Sequence, residues 1–204
     1  MGMQNNMVPY DRRCARSRSR SPTTPPKPKM DNPVSSWKLG EIVEAEGGLQ
    51  FTGLTVQGGP IILTLVGCVA PFEPSSYQAE SLVKNLDLRL DKLTEEKLEC
   101  MQACVAEKFS QPRYKADAFK PFLHKKEEYP ANLRTKLQTT GLTKTRFWDS
   151  NKRLTEPPES YAGATFEAKV MLKGIWYAES AWGLSLHATD LMLTKDSPIP
   201  ECPF

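Results

Sequence analysis

Apolar and polar positions alternate over a long stretch near the end of this 204-residue chain. From Phe166 to Trp176 the even positions are Phe166, Ala168, Val170, Leu172, Gly174 and Trp176. The odd positions are Glu167, Lys169, Met171, Lys173 and Ile175, followed by Tyr177. Period-two alternation of this length predicts a half-buried strand. A second strand runs to Lys195, joined to the first by a turn at about Ala178–Ala181. The even face is expected to pack a core, with Phe166 and Trp176 inside. The odd face presents two lysines beside Met171 and Tyr177. Cationic side chains with apolar and aromatic ones between them suit a phosphate backbone carrying unstacked bases.

The same pattern divides the rest of the chain. Order is expected from Trp37, with Glu41–Ala45 and Leu49–Val56 as paired strands around Gly47-Gly48. Gly58-Gly59-Pro60 then turns the chain into Ile61–Val69, a short β-branched run that reads as a buried strand. Leu86, Leu88 and Leu90 alternate with Asp87, Arg89 and Asp91, again as a strand, although one continuous helix from Tyr77 is the alternative. Thr94 followed by Glu95-Glu96 reads as a helix start, because acids in the first turn suit the helix dipole. The helix should run from about Glu95 to Lys108, burying Leu98, Met101, Val105 and Phe109, with Pro112 stopping it. Leu133–Thr140 alternates once more, with Arg134 and Lys136 outward. In Lys144–Asp149 the side chains of Arg146 and Trp148 share a face opposite Phe147.

Composition changes this picture at the ends. Hydrophobic content is 39%, low for a fully globular chain, and there are 17 prolines. Residues 1–30 hold seven Lys/Arg against one acid, in Arg-Ser and Pro-Lys repeats with almost nothing to bury. They are expected to be disordered. The domain plan is therefore a disordered Arg/Ser/Pro-rich basic arm over 1–36, one domain over 37–195 and a tail over 196–204. Although net charge is only +3, residues 112–173 hold 13 basic against seven acidic side chains. Segregated basic charge marks an anionic partner, most often nucleic acid. No apolar run approaches the roughly 20 residues of a membrane helix, so no membrane partner is expected.

Catalysis finds little support. Gly-rich phosphate loops of the G-x-G-x-x-G or G-K-[ST] type are absent. His124 and His187 lack an evident nucleophile, and His187 is expected to hydrogen-bond locally. The five cysteines are scattered without a C-x-x-C pair, so Cys100 and Cys104 read as small packing residues rather than zinc ligands. Neither enzyme activity, metal nor cofactor is expected.

From Ala116 onward about five short strands follow one helix. This suits a mainly β chain with one or two helices, built as a five-stranded barrel of the oligonucleotide-binding (OB) type with an N-terminal β extension. Within this pattern Leu49-Gln50-Phe51-Thr52, Ala70-Pro71-Phe72, Tyr129–Leu137, Thr145–Asp149, Gly163 with Ala168, Leu172–Trp176 and Trp182–Leu186 follow one another in order. The series resembles the OB-fold single-stranded DNA-binding proteins of large double-stranded DNA viruses and phages, over about residues 49–195. The resemblance implies coating of displaced single strands in replication or recombination, without catalysis. It also implies replication proteins as partners through an acidic C-terminal tail, from which this chain departs, since residues 196–204 carry only Asp196 and Glu201. The Arg/Ser arm adds a eukaryotic setting, in the nucleus or a viral replication compartment.

On this reading Arg134, Lys136, Lys144, Arg146, Lys152, Lys169 and Lys173 contact phosphates, while Trp148 and Tyr177 stack on bases. Trp37 and Trp182 are assigned to neither face. Two alternatives stay open: RNA as the partner, bound mainly through the Arg/Ser arm of a nucleocapsid-like protein, or a barrel that binds another protein as an adaptor.

Overall fold

The computed structural model describes residues 34–44, 48–76, 80–110, 118–126 and 129–195. The basic arm up to residue 33, the tail from 196, Tyr77, Pro112, Cys14 and Cys202 lie outside the described residues. The elements in chain order are β1 (Trp37–Glu44), β2 (Gln50–Val56), β3 (Gly59–Val69), β4 (Val83–Arg89), α1 (Lys92–Phe109), β5 (Phe119–Lys120), β6 (Leu123–Lys126), β7 (Tyr129–Gln138), β8 (Arg146–Trp148), β9 (Leu154–Thr155), β10 (Thr165–Tyr177) and β11 (Trp182–Lys195). The described chain is mainly β with one helix. Among the described residues no helix is long and apolar enough to cross a membrane.

All 11 strands join one hydrogen-bonded network whose central pairings return on themselves. β3 pairs with β4, β4 with β7, β7 with β11, β11 with β10, and β10 with β3. The β7–β11 pair is parallel and the other four are antiparallel. The strands before the helix are therefore not all an added extension. Leu86 and Leu88 of β4 and Ile61, Leu65 and Cys68 of β3 sit in the common core. Burying those alternating positions draws β3 and β4 between β10 and β7, which leaves β1 and β2 as the flanking strands. β3 is also not buried on both faces, because Ile62 and Val66 point outward and are exposed.

The helix fills the core from one side with Leu98, Met101, Val105 and Phe109. It starts earlier than Thr94 because Asp91 is the cap. The Asp91 carboxylate accepts the Thr94 amide at 3.0 Å and the Thr94 hydroxyl at 2.6 Å, meeting an otherwise orphaned donor. The Gln102 side-chain carbonyl accepts the Phe122 and Leu123 amides at 3.0 and 3.2 Å. Lys125 pairs with Glu95 at 2.7 Å and Glu99 at 3.0 Å. These contacts tie the strand after the helix back onto it.

β10 and β11 form the long hairpin that the alternation predicts, and the Ala178 amide closes its turn on the Ala181 carbonyl at 2.8 Å. One detail departs from the predicted parity. Leu172 faces Leu186 and Gly174 faces Ser185, so Lys173 is an extra residue on β10 with no partner on β11. A bulge of this kind exchanges the two faces of everything beyond it. Ile175 and Tyr177 therefore turn into the core, where both are buried, and Trp176 turns outward and is half-buried. Tyr177 stacks on the fully buried Trp182 with ring centres 6.0 Å apart. Tyr177, expected on the outer face, is thus a core residue, and Trp176, expected in the core, faces outward.

Candidate nucleic-acid interface

Directly opposed residues of paired strands project from the same face. The register therefore assembles the outer surface of the hairpin row by row. One row runs Ile62, Met171, His187, Lys136 and Asn85, across β3, β10, β11, β7 and β4. The next runs Thr64, Lys169, Asp190 and Arg146, ending on β8. A third runs Glu167, Met192 and Trp148. Beyond the bulge the same surface continues through Gly53, Gly174 and Ser185, then Val43, Phe51, Trp176 and Gly183.

The surface thus has aromatic side chains at two ends and basic ones between. At the first end the indole nitrogen of Trp148 donates to Asp190 at 2.9 Å. Arg146 pairs with the same carboxylate at 2.7 Å and lies 5.7 Å from the centre of the Trp148 ring. Burial alone would raise the Asp190 carboxyl, but hydrogen bonds from Arg146 and Trp148 outweigh it and hold the group below the usual carboxylate range. One buried anion therefore fixes both the arginine and the indole. Arg146, Trp148, Lys152 and Lys169, together with Thr64, Glu167 and Met192, line a cleft of about 380 Å³ around it. Lys152 reaches this cleft from the turn between β8 and β9, where its backbone holds a left-handed φ of 60° and its amide donates to the Asp149 carbonyl.

At the second end the rings are set by glycines. A Cβ on Gly174 would come 2.6 Å from the Phe51 ring, and one on Gly183 would come 2.8 Å from the Trp176 ring. Both rings lie close against bare backbone, and at Gly174 the Thr52 carbonyl is closer still, so close approach is a reason for each glycine inside its strand. Neither ring was singled out by alternation alone. The available signal was Gly174 itself, an isolated glycine in a strand pattern that marks a bulge or a close approach.

In the middle lie Lys136, Lys169 and Lys173, all exposed. None of the three has a carboxylate partner among the described ion pairs. Desolvation, then the neighbouring Lys173 ammonium, lowers the Lys136 pKa. Beneath them the buried His187 ring contacts the Ser185 hydroxyl at 3.2 Å, a local hydrogen bond. Burial and then the Lys173 and Lys136 charges push the His187 imidazole down to about 4, so the ring is neutral at pH 7.

The structure thus gathers Lys136, Arg146, Trp148, Lys152, Lys169 and Lys173 on one surface. Arg134 lies on the same side of β7 as Lys136, where Asp87 of β4 takes its guanidinium at 2.8 Å. Lys144 is exposed on the turn between β7 and β8, outside the ladder. Tyr177 is on the opposite, buried side. Trp37 and Trp182 are both core residues. Among the described residues no three His, Cys, Asp or Glu side chains converge to hold a metal.

No family model matches this sequence, and no curated protein matches it. Comparison with solved structures finds the single-stranded DNA-binding protein from bacteriophage Enc34 in three forms. Its complex with ssDNA aligns with a TM-score of 0.48 at 13% identity, covering 73% of this chain and 93% of that one. A C-terminal truncation aligns at 0.46 with 14% identity, covering 78% and 97%. A third form of the Enc34 protein aligns at 0.48 with 12% identity, covering 80% and 95%.

Proposed function

We propose that this protein binds single-stranded nucleic acid, DNA foremost, and leaves it chemically unchanged. The observation that carries this reading is the ladder of opposed residues joining Trp148, Lys169, Lys136 and the Phe51–Trp176 pair on one surface, with the bulged Lys173 exposed beside them. Basic side chains tracking a backbone, with aromatic faces available to bases, are what sequence-tolerant single-strand binding requires. Duplex DNA keeps its bases stacked inside and offers nothing to those rings. We further infer that the circuit β3–β4–β7–β11–β10 is a curled barrel of the OB type, with the interface on its outer wall. A role in coating displaced strands during replication or recombination, with replication proteins as partners, rests on the sequence resemblance over residues 49–195.

The direct test is titration with oligo-dT, oligo-U and duplex DNA at several salt concentrations. Oligo-dT should bind more tightly than duplex. Its log affinity should fall with log salt by roughly 0.7 per phosphate contact on a single strand. Trp148→Ala should lose about 1–3 kcal/mol of binding. Equal affinity for duplex, or unchanged binding in Trp148→Ala, contradicts the reading. Survival of oligo-dT affinity after deletion of residues 1–30 assigns binding to the ladder, and its collapse assigns binding to the arm.

A further inference from the structure

Three groups on the outer surface meet without a counter-charge among the described residues. Lys136 and His187 are ladder neighbours on β7 and β11, and Lys173 is the bulged residue two places along β10 from Met171, the other neighbour of His187. The facing groups are accounted for from each strand. β10 supplies uncharged Met171 and Lys173, β7 supplies Lys136, β11 supplies Ser185, and β4 supplies Asn85 beyond Lys136. The nearby carboxylates are committed elsewhere, Asp190 to Arg146 and Trp148 and Asp87 to Arg134. Two ammonium groups over a desolvated imidazole, with no acid between them among the described residues, leave a place for an anion that no described side chain fills.

We propose that Lys136, Lys173 and His187 form a seat for one phosphate group, presented by a bound strand, and that the imidazole takes up a proton when the phosphate docks. The proposal rests on the strand-binding reading above and adds a group outside it, His187. The physical cause is direct. In the free protein two lysine charges and burial disfavour imidazolium. A phosphate oxyanion on the lysines cancels their repulsion and adds an opposite charge, so the protonated ring becomes the favoured form. Linkage then fixes the sign: the bound state holds more protons than the free state at mildly acidic pH, so affinity rises as pH falls. The expected gain from pH 7.5 to pH 5 is about tenfold, reaching about thirtyfold if the ring regains the ordinary histidine value.

With only two histidines in the chain, the full-length protein gives two imidazole signals to follow by NMR. His124→Gln assigns them, and the His187 titration is then recorded free, with saturating oligo-dT and with inorganic phosphate. The expected result is a His187 midpoint that moves to higher pH with oligo-dT, together with a pH-dependent oligo-dT affinity that His187→Gln flattens. Oligo-dT that binds while the wild-type His187 midpoint stays in place overturns the seat and leaves strand binding intact. A midpoint that inorganic phosphate moves, in a protein that binds no oligo-dT, keeps the seat and removes the strand reading. No binding of oligo-dT, together with a midpoint that neither ligand moves, overturns both.

Discussion

β10 has two halves that obey one rule with opposite results. Up to Leu172 its even residues face the core and its odd residues face outward, as the alternation dictates. After the bulge at Lys173 the faces are exchanged, and Tyr177 is buried while Trp176 is not. A single unpaired residue therefore decides which aromatic side chain can meet a ligand. It also places the second aromatic end on the same surface as Lys169 and Trp148. The two ends differ in how their rings are held. Trp148 is fixed by a hydrogen bond to a buried carboxylate, whereas Phe51 and Trp176 are fixed by lying on glycines.

The sharpest way to break this comparison is Tyr177→Ala. A fully buried ring stacked on Trp182 should cost about 3–5 kcal/mol of unfolding free energy when truncated. Trp176→Ala, with its ring half in solvent, should cost clearly less. Chemical denaturation of both variants measures the difference, and equal losses would contradict the exchanged parity.

Acid should next separate the outer surface from the core beneath it. The His187 pKa is lowered to about 4 in the folded chain, against an ordinary value of 6.5. The unfolded chain therefore binds more protons between those values. Stability contributed by the neutral ring is fully present above pH 6.5 and is lost as pH falls toward 4, by an amount on the order of 2–3 kcal/mol. Denaturation across pH 4–7.5 checks this, with His187→Gln expected to flatten the profile and His124→Gln to leave most of it.

The smallest effect compares free with committed charges. Lys169→Ala should lower the salt slope of oligo-dT binding by roughly 0.7. Arg134→Ala should change it less, because Asp87 already neutralises that guanidinium. Salt titrations of the two variants distinguish them, and equal slopes would remove the distinction.

Much of this was legible in the sequence, for identifiable reasons. Strict alternation gave the hairpin, β4 and the outward faces of Arg134, Lys136, Lys169 and Lys173. Helical spacing gave Leu98, Met101, Val105 and Phe109. What escaped was set by contacts distant in sequence. The swap of Tyr177 for Trp176 depends on a bulge opposite Ser185. The insertion of β3 and β4 beside β10 and β7 depends on long-range burial of Leu86 and Leu88. Commitment of Arg134 and Arg146 to Asp87 and Asp190 depends on cross-strand register. A local pattern identifies which side chains can be outside, but not which of them find a partner there.

The central claim is that an outer ladder with Trp148 at one end and Trp176 at the other grips unpaired nucleotides. Of the four tryptophans, Trp37 and Trp182 are buried in the core. Fluorescence quenching by oligo-dT therefore tests the claim most directly, in the wild type and in the Trp148→Phe/Trp176→Phe double variant. Quenching should be strong in the wild type and largely absent in the double variant, whose remaining indoles lie out of reach of a strand. Undiminished quenching in the double variant would contradict the account.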